Sequence, residues 1–275
     1  MIKLSLSAKL SGLVLLSTVI IAICAPLICN YLPNESSGPS LCQPGQRHFL
    51  GTDELGYDLW AQICFGARVS LIVGLGTACL SGLFGGLIGM ISGYMGGYID
   101  KFIMRLIDIM IVLPDLPVMI VLAAFLGPSL MNIIIVLTVF SWMIVARIVR
   151  SQVLMLKTHT YIKTAEMYGA GSWYIIYKHL LPEIFPLIGV SMIRLTGRAI
   201  VSEAGLSFLG LGDPTSKSWG MIIHHAINFN GIYYTNYWKF WLVYPWLALT
   251  LLVISIAFIS RELERIFESR FIQNK

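Results

Sequence analysis

Charge is the scarcest property of this sequence. Only 12% of its 275 residues are Asp, Glu, Lys or Arg, against 57% hydrophobic, whereas a soluble domain carries roughly 25% charged residues. That shortage excludes an ordinary soluble enzyme and leaves an integral membrane bundle. A phosphate-cradling loop is missing too. No G-x-x-x-x-G-K-[ST] occurs, so the chain encodes no P-loop of its own. The cysteines (Cys24, Cys29, Cys42, Cys64 and Cys79) are odd in number and lack CxxC spacing, and they read as small, soft core residues rather than disulfides or metal ligands. No catalytic triad, metalloprotease motif or paired-carboxylate site emerges, so neither a catalytic residue nor a metal site is expected.

What is present is apolar and long. A spanning helix needs about 20 mostly apolar residues, because lipid offers no partner to an unpaired backbone group. Six stretches qualify: about 10–31, 69–93, 102–126, 130–150, 183–205 and 241–260. The expectation is an all-α integral membrane protein with six transmembrane helices. The first run is longer than the 7–15 residues of a cleaved signal core and is expected to remain as an anchor.

Lys and Arg placement orients the bundle. With a cytoplasmic N-terminus, the inside segments collect thirteen of the 19 basic residues, while only Arg47, Arg68, Lys217 and Lys239 fall outside. This asymmetry matches the positive-inside rule and places both termini in the cytoplasm. The net charge of +5 is then a topology signal, and no nucleic acid partner is implied.

Between the fourth and fifth spans lies a polar island, "YIKTAEMYGAGSWYIIYKHLLPEI" at 161–184. Two short helices fit it, broken at "YGAGS". Thr160 is the expected N-cap of the first and Gly169 its stop, with Tyr161, Ala165 and Tyr168 on one face. Ser172 is the expected cap of the second, whose stripe reads Trp173, Ile176, Tyr177, Leu180 and Leu181 until Pro182 closes it. Such stripes need a cover: the protein's own spans, the lipid interface, or another subunit docking on the break.

The spans carry their own signals. Gly85, Gly89, Gly93 and Gly97 follow each other at i, i+4, with Gly82 and Gly86 beside them. Such seams let helices approach closely, either as static packing or as a sliding surface. Pro114-Asp115-Leu116-Pro117 predicts a kink in the third span. Asp115, Arg194, Arg198 and Glu203 are charges within spans, hence candidates for a translocation pathway or for internal ion pairs such as Asp115 with Arg194. His224 and His225 are adjacent and do not share a helix face, so a metal-ligand role is not expected. Tyr233, Tyr234, Tyr237, Trp238 and Trp241 suit an interfacial aromatic belt.

Tyr161, Ala165, Gly169, Ala170, His179, Leu180 and Pro182 together resemble the cytoplasmic "EAA" loop of ABC importer permeases. "FLGTDELGYDLWAQICFGARVSL" (49–71) and "EAGLSFLGLGDPTSKSWG" (203–220) are similar to stretches of that family's peptide and nickel branch. Three departures stand out. Lys163-Thr164-Ala165 replaces the usual Glu-Ala-Ala, Tyr57 and Gln62 stand where Arg is common, and "RELERIFESRF" replaces the usual ending.

The resemblance implies a type I ABC importer transmembrane fold in the cytoplasmic membrane of a prokaryote, carrying dipeptides, oligopeptides, nickel or a nickel chelate. It implies a homologous second permease, two ABC ATPase subunits holding the ATP and Mg, and an extracytoplasmic solute-binding protein. No cofactor is expected on this chain. Carried over residue by residue, the coupling loop (157–182) is expected to work through Lys163, Thr164, Ala165, Gly169, Ala170, His179 and Pro182. The expected layout is an anchor and outer segment at 1–60, a permease core at 61–265 and a cytoplasmic tail at 266–275. A secondary transporter or a non-transporting membrane scaffold is the alternative.

Overall fold

The computed structural model describes residues 5–273, and among these it is helical throughout apart from loops and two isolated antiparallel bridges. The helices in chain order are α1 (Leu6–Ile28), α2 (Leu59–Met95), α3 (Gly97–Val112), α4 (Asp115–Leu126), α5 (Leu130–Leu156), α6 (Thr160–Met167) and α7 (Ser172–Ile175). A π turn at Ile176–Leu180 leads into α8 (Leu181–Phe208), followed by α9 (Trp219–Asn228), α10 (Trp238–Trp241) and α11 (Val243–Gln273). Five stretches are long and apolar enough to cross a membrane: α1, α2, α5, α7 through α8, and α10 with most of α11. A sixth crossing exists if α3 and α4 count as one broken span.

That break is the largest departure from the sequence reading. A single kinked third span was expected at 102–126, but α3 and α4 meet at 92°. Pro114 lacks an N–H, and the residue before a proline is pushed out of the helical region. Leu113 is accordingly extended, with ψ 135°. The second span also reaches further than the expected 69–93. It begins at Leu59 because Asp58 caps it, accepting from the Ala61 N–H at 2.8 Å.

The bundle is centred on α2, which packs along α5 on one side and α8 on another, while α1 lies against α2 and α11. Glycines set the closest approach. A Cβ on Gly85 would sit 2.4 Å from the Trp142 carbonyl oxygen, and one on Gly89 would sit 2.5 Å from that of Ala146. Gly82 and Gly86 face Met192 and Ile188 of α8 instead. Gly97 does not belong to this seam; it opens α3 with nothing near its Cβ position.

Three contacts place the ends of these helices. Glu262 near the end of α11 accepts from the Ser5 N–H at 3.1 Å and from its hydroxyl at 3.2 Å. Tyr94 at the end of α2 donates to Glu166 of α6 at 3.1 Å. With alternating crossings, the start of α1, the Glu262 stretch of α11 and the α6–α7 island therefore share one face. The tail expected at 266–275 is helical backbone as far as Gln273, and its last two residues lie outside those described.

On the opposite face, residues 29–58 fold into a loop pinned to the start of α2. Asp53 accepts from the backbone N–H groups of Leu55 and Tyr57 and, at 2.7 Å, from the Gln62 amide. His48 pairs with Asp58 at 2.9 Å in a buried setting. Gln62 thus keeps a bond to a buried carboxylate, and the Lys217 ammonium lies 5.3 Å from the centre of the Tyr57 ring.

Candidate functional site: an elbow on one face and a charged cleft between spans

The island folds as an elbow. Its first helix begins one residue earlier than expected: His159 is the N-cap without a side-chain bond, and Thr160 is already helical. With His159 as N-cap the third helical position is Ile162, so Lys163 falls one residue past the place of a capping box. The helix ends in a Schellman motif. Ala170 N–H reaches the Ala165 carbonyl and Gly169 N–H that of Glu166, each at 3.0 Å, with Gly169 at φ +82°. That left-handed turn is where glycine is favoured.

The second arm departs more. Gly171 caps it, not Ser172, and Pro182 does not close it. The backbone widens into the π turn at Ile176–Leu180, where the Leu181 N–H bonds the Ile176 carbonyl, and then continues as α8. A regular helix would drive the Pro182 ring into the carbonyl four residues back; the extra residue of a π turn relieves that clash. The elbow is thereby the continuous extension of a long apolar helix.

Its faces are also divided differently. Ile162 is 0% exposed and joins Ile175, Ile176, Leu180 and Ile184 against Tyr94, Val149, Val153 and Leu156. The aliphatic residues therefore cover the ends of α2 and α5. The aromatic residues point away: Tyr168 is 88% exposed and Trp173 71%, with Met167, Tyr174 and Tyr177 also bare. Sequence periodicity grouped Trp173 and Tyr177 with the buried side because both faces of this arm are apolar.

Side-chain bonds anchor the elbow to two spans. Besides Tyr94 and Glu166, Lys157 donates to the Tyr94 carbonyl at 2.6 Å, and Tyr161 donates to Glu183 of α8 at 2.8 Å. Burial, then the Glu183 carboxylate, pushes the Tyr161 phenol up to about 12. Of the expected coupling residues, Lys163, Thr164, Gly169 and Pro182 are exposed, while Ala165, Ala170 and His179 are half-buried. The His179 ring lies 5.9 Å from Tyr161 and 5.7 Å from Tyr174.

Behind the elbow, α3 is tied down by charge. Arg150 grips Asp100 with two bonds of 2.5 and 2.6 Å, Ser92 adds a third at 2.6 Å, and Arg147 reaches Asp108 at 2.5 Å. Bidentate pairs of this kind fix orientation as well as distance.

A cleft of about 1140 Å³ opens between the start of α4, the middle of α8 and the inner half of α11. Asp115 and Arg198 meet there as a close ion pair. Arg194, 72% exposed at its side chain, lies 3.7 Å from Glu264, and Arg261 lines the same space. Asp115 therefore pairs with Arg198 rather than Arg194. The walls are otherwise largely apolar, including Val201, Val253 and Ile256. Charges on an open flank of spanning helices need water, ligand or another subunit beside them, since lipid solvates them poorly.

Glu203 is not part of this cleft. It is 2% exposed and faces the other way, toward Val69 and Val73 of α2 and Leu130 and Ile133 of α5. On the face opposite the elbow, His224 bonds the Phe208 carbonyl at 2.6 Å, which fastens α9 to the end of α8.

A broken span, a glycine-seamed bundle and a long apolar helix that runs on into an elbow define a multi-pass helical membrane protein. A family model described as "Binding-protein-dependent transport system inner membrane component" matches residues 85–273. A putative peptide transport system permease protein of Brucella suis is 36% identical over 263 residues, covering 94% of this chain and 86% of its own length. The dipeptide transport system permease protein DppC of Bacillus subtilis is 36% identical over 216 residues, covering 78% of this chain and 68% of its own. A putative peptide permease protein, also of Brucella suis, is 34% identical over 266 residues, 96% of this chain and 87% of its own. The chain belongs to the binding-protein-dependent transport family, in its peptide ABC permease group.

Proposed function

We propose that this chain is one of two permease subunits of an ABC importer that brings di- or oligopeptides across the cytoplasmic membrane, powered by ATPase subunits on separate chains. The observation that carries the reading is the elbow: exposed Met167, Tyr168 and Trp173 around Gly169, on an arm continuous with α8. In the proposed mechanism the ATPases grip this ridge, ATP binding draws them together, and α8 passes the displacement to the cleft at Asp115 and Arg198. Lys163, Thr164, Ala165, Gly169, Ala170, His179 and Pro182 form or shape the coupling surface. The homologous second permease covers the cleft, and a solute-binding protein delivers cargo to the opposite face. Such a switch operates only if nucleotide and cargo bind the two states with different affinity. ATP and Mg belong to the partner ATPases, and both termini face the cytoplasm with the elbow.

The peptide cargo rests on the names of the relatives above, all of them peptide permeases; nickel has no such support. Family membership favours this reading over a secondary transporter or a scaffold. A cysteine placed at Tyr168 tests the coupling: it should crosslink to a co-purifying P-loop ATPase and react with an impermeant thiol reagent only from the cytosolic side. Labelling from outside intact cells would overturn the orientation and the coupling together. Uptake of labelled dipeptide in a deletion strain tests the cargo independently.

A further inference from the structure

A second polar site lies at the outer end of α8, away from the elbow and the cleft. A cavity of about 10 Å³ is lined by Glu203, Asp213, Ser216 and Ser218, with Val69, Val73, Leu130 and Ile133 completing its wall. That is room for one water-sized species. Glu203 is 2% exposed, and its Oε1 accepts from the Ser207 hydroxyl at 2.6 Å. Ser218 lines the same cavity, its Oγ accepting from the Met221 N–H at 3.3 Å, and Oε2 of Glu203 has no hydrogen-bond partner. A buried carboxylate oxygen without a partner costs several kcal/mol unless something fills the gap.

The second carboxylate is held as an anion. Asp213 accepts from the Thr215 N–H at 2.8 Å, the Thr215 hydroxyl at 2.6 Å and the Ser216 hydroxyl at 3.2 Å. Burial pushes its carboxyl up, but these donors and the Leu130 N–H together hold it below the ordinary carboxylate range.

The Ser216 hydroxyl already donates to Asp213, so the polar lining presents mainly oxygen lone pairs. No Lys, Arg or His lines the cavity. A water molecule brings only two protons to such a shell, whereas a cation is attracted by every oxygen in it and favours the ionised form of both carboxylates. A divalent ion is less suited. Calcium takes 6–8 oxygen ligands, and the described residues contain no group of three or more His, Cys, Asp or Glu placed to hold a metal.

We propose that this cavity binds a single monovalent cation of sodium size between Glu203 and Asp213. Its role is to clip the 209–218 loop to α8, and through Leu130 and Val69 to the outer ends of α5 and α2. Both carboxylates are needed: Glu203 supplies the open ligand from the span, and Asp213 supplies the counter-ligand from the loop.

The test uses the full-length chain purified in detergent, melted in sodium chloride and in N-methylglucamine chloride at equal ionic strength. A rise in melting temperature that grows with sodium and saturates is expected, and radioactive sodium should be retained at one ion per chain. Glu203→Gln and Asp213→Asn should each abolish the sodium-dependent rise and the retained ion, while Asp108→Asn, on α3, should leave both intact. Identical melting of the unaltered chain in the two salts, with no retained sodium, would overturn the proposal. So would a sodium response that survives Glu203→Gln and Asp213→Asn. Should either variant fail to fold, Ser218→Ala serves in its place, and the comparison of salts on the unaltered chain still decides.

Discussion

Asp115, the first residue of α4, is ion-paired with Arg198 in the middle of α8, so the break in the third span is fastened across the cleft to the helix that carries the elbow. About 16 Å of helix separates Asp115 from Leu126 at the other end of α4, so the pair sits at the bend of the broken span rather than at either of its ends. A pair there resists separation, because either partner alone would be a bare charge on a spanning helix.

This coupling is measurable by a double-mutant cycle. Asp115→Asn and Arg198→Gln should each lower uptake and melting temperature. The double variant should lose less than the two losses combined, with an interaction of about 0.5–3 kcal/mol. Strict additivity would show that the two side chains act independently. Uptake that is lost while the assembled complex persists would assign the pair to the transport cycle, and lost assembly would assign it to structure.

The glycine seam makes a sharper prediction. Gly89→Ala adds one methyl group, yet that methyl would meet the Ala146 backbone oxygen at 2.5 Å, and backbone cannot swing aside as a side chain can. Overpacking of this kind costs about 1–3 kcal/mol. Gly89→Ala and Gly85→Ala should lower the melting temperature of the purified chain. Gly12→Ala, with nothing within 4 Å of the added Cβ, should not. Equal stability of all three would refute the close α2–α5 contact.

Much of this architecture was legible in the residues, and the misses have physical causes. Apolar run length located every crossing, since the backbone in lipid permits little else. Pro114 and Pro117 marked a disruption, but a right-angle break depends on the Asp115–Arg198 and Asp108–Arg147 anchors, which pair residues far apart in sequence. Gly169 was readable as a helix stop because the Schellman turn is local. The caps at His159 and Gly171 were missed by one residue, as neither uses its side chain, so no cap residue announced them. The outward turn of Trp173 and Tyr177 was hidden because the covering surface, Tyr94 and Val153, belongs to other helices. Glu203 stood out as a charge in a span. Its neighbour Asp213 did not, because a loop folding back onto a helix leaves no periodic trace.

At Gly169 the backbone alone sets the cost of substitution. A Cβ there would touch nothing within 4 Å, while φ is +82°, and a left-handed residue other than glycine costs roughly 1–2 kcal/mol. Gly169→Val should leave the bundle folded with a drop of only a few degrees in melting temperature, yet reduce ATPase co-purification and uptake. Gly169→Asn, which tolerates that conformation better, should retain more of both. Normal uptake by Gly169→Val would remove the turn from the coupling role.

The Tyr161–Glu183 bond makes the last prediction, and its pH dependence has a definite sign. The Tyr161 phenol is raised from 10.0 to about 12, so the folded state favours the protonated, donating form. Its contribution is fully present below the ordinary phenol value and is lost as pH rises from there through about 12. Between pH 6 and 9 the clamp should be insensitive to pH, and Tyr161→Phe should shift stability equally throughout that range, by about 0.5–1.5 kcal/mol. Proteolysis across the 157–182 segment at fixed pH would read the loosened elbow directly. A Tyr161→Phe chain cleaved no faster than the unaltered one would show that the apolar contacts of Ile162 and Ile175 hold the elbow without this bond.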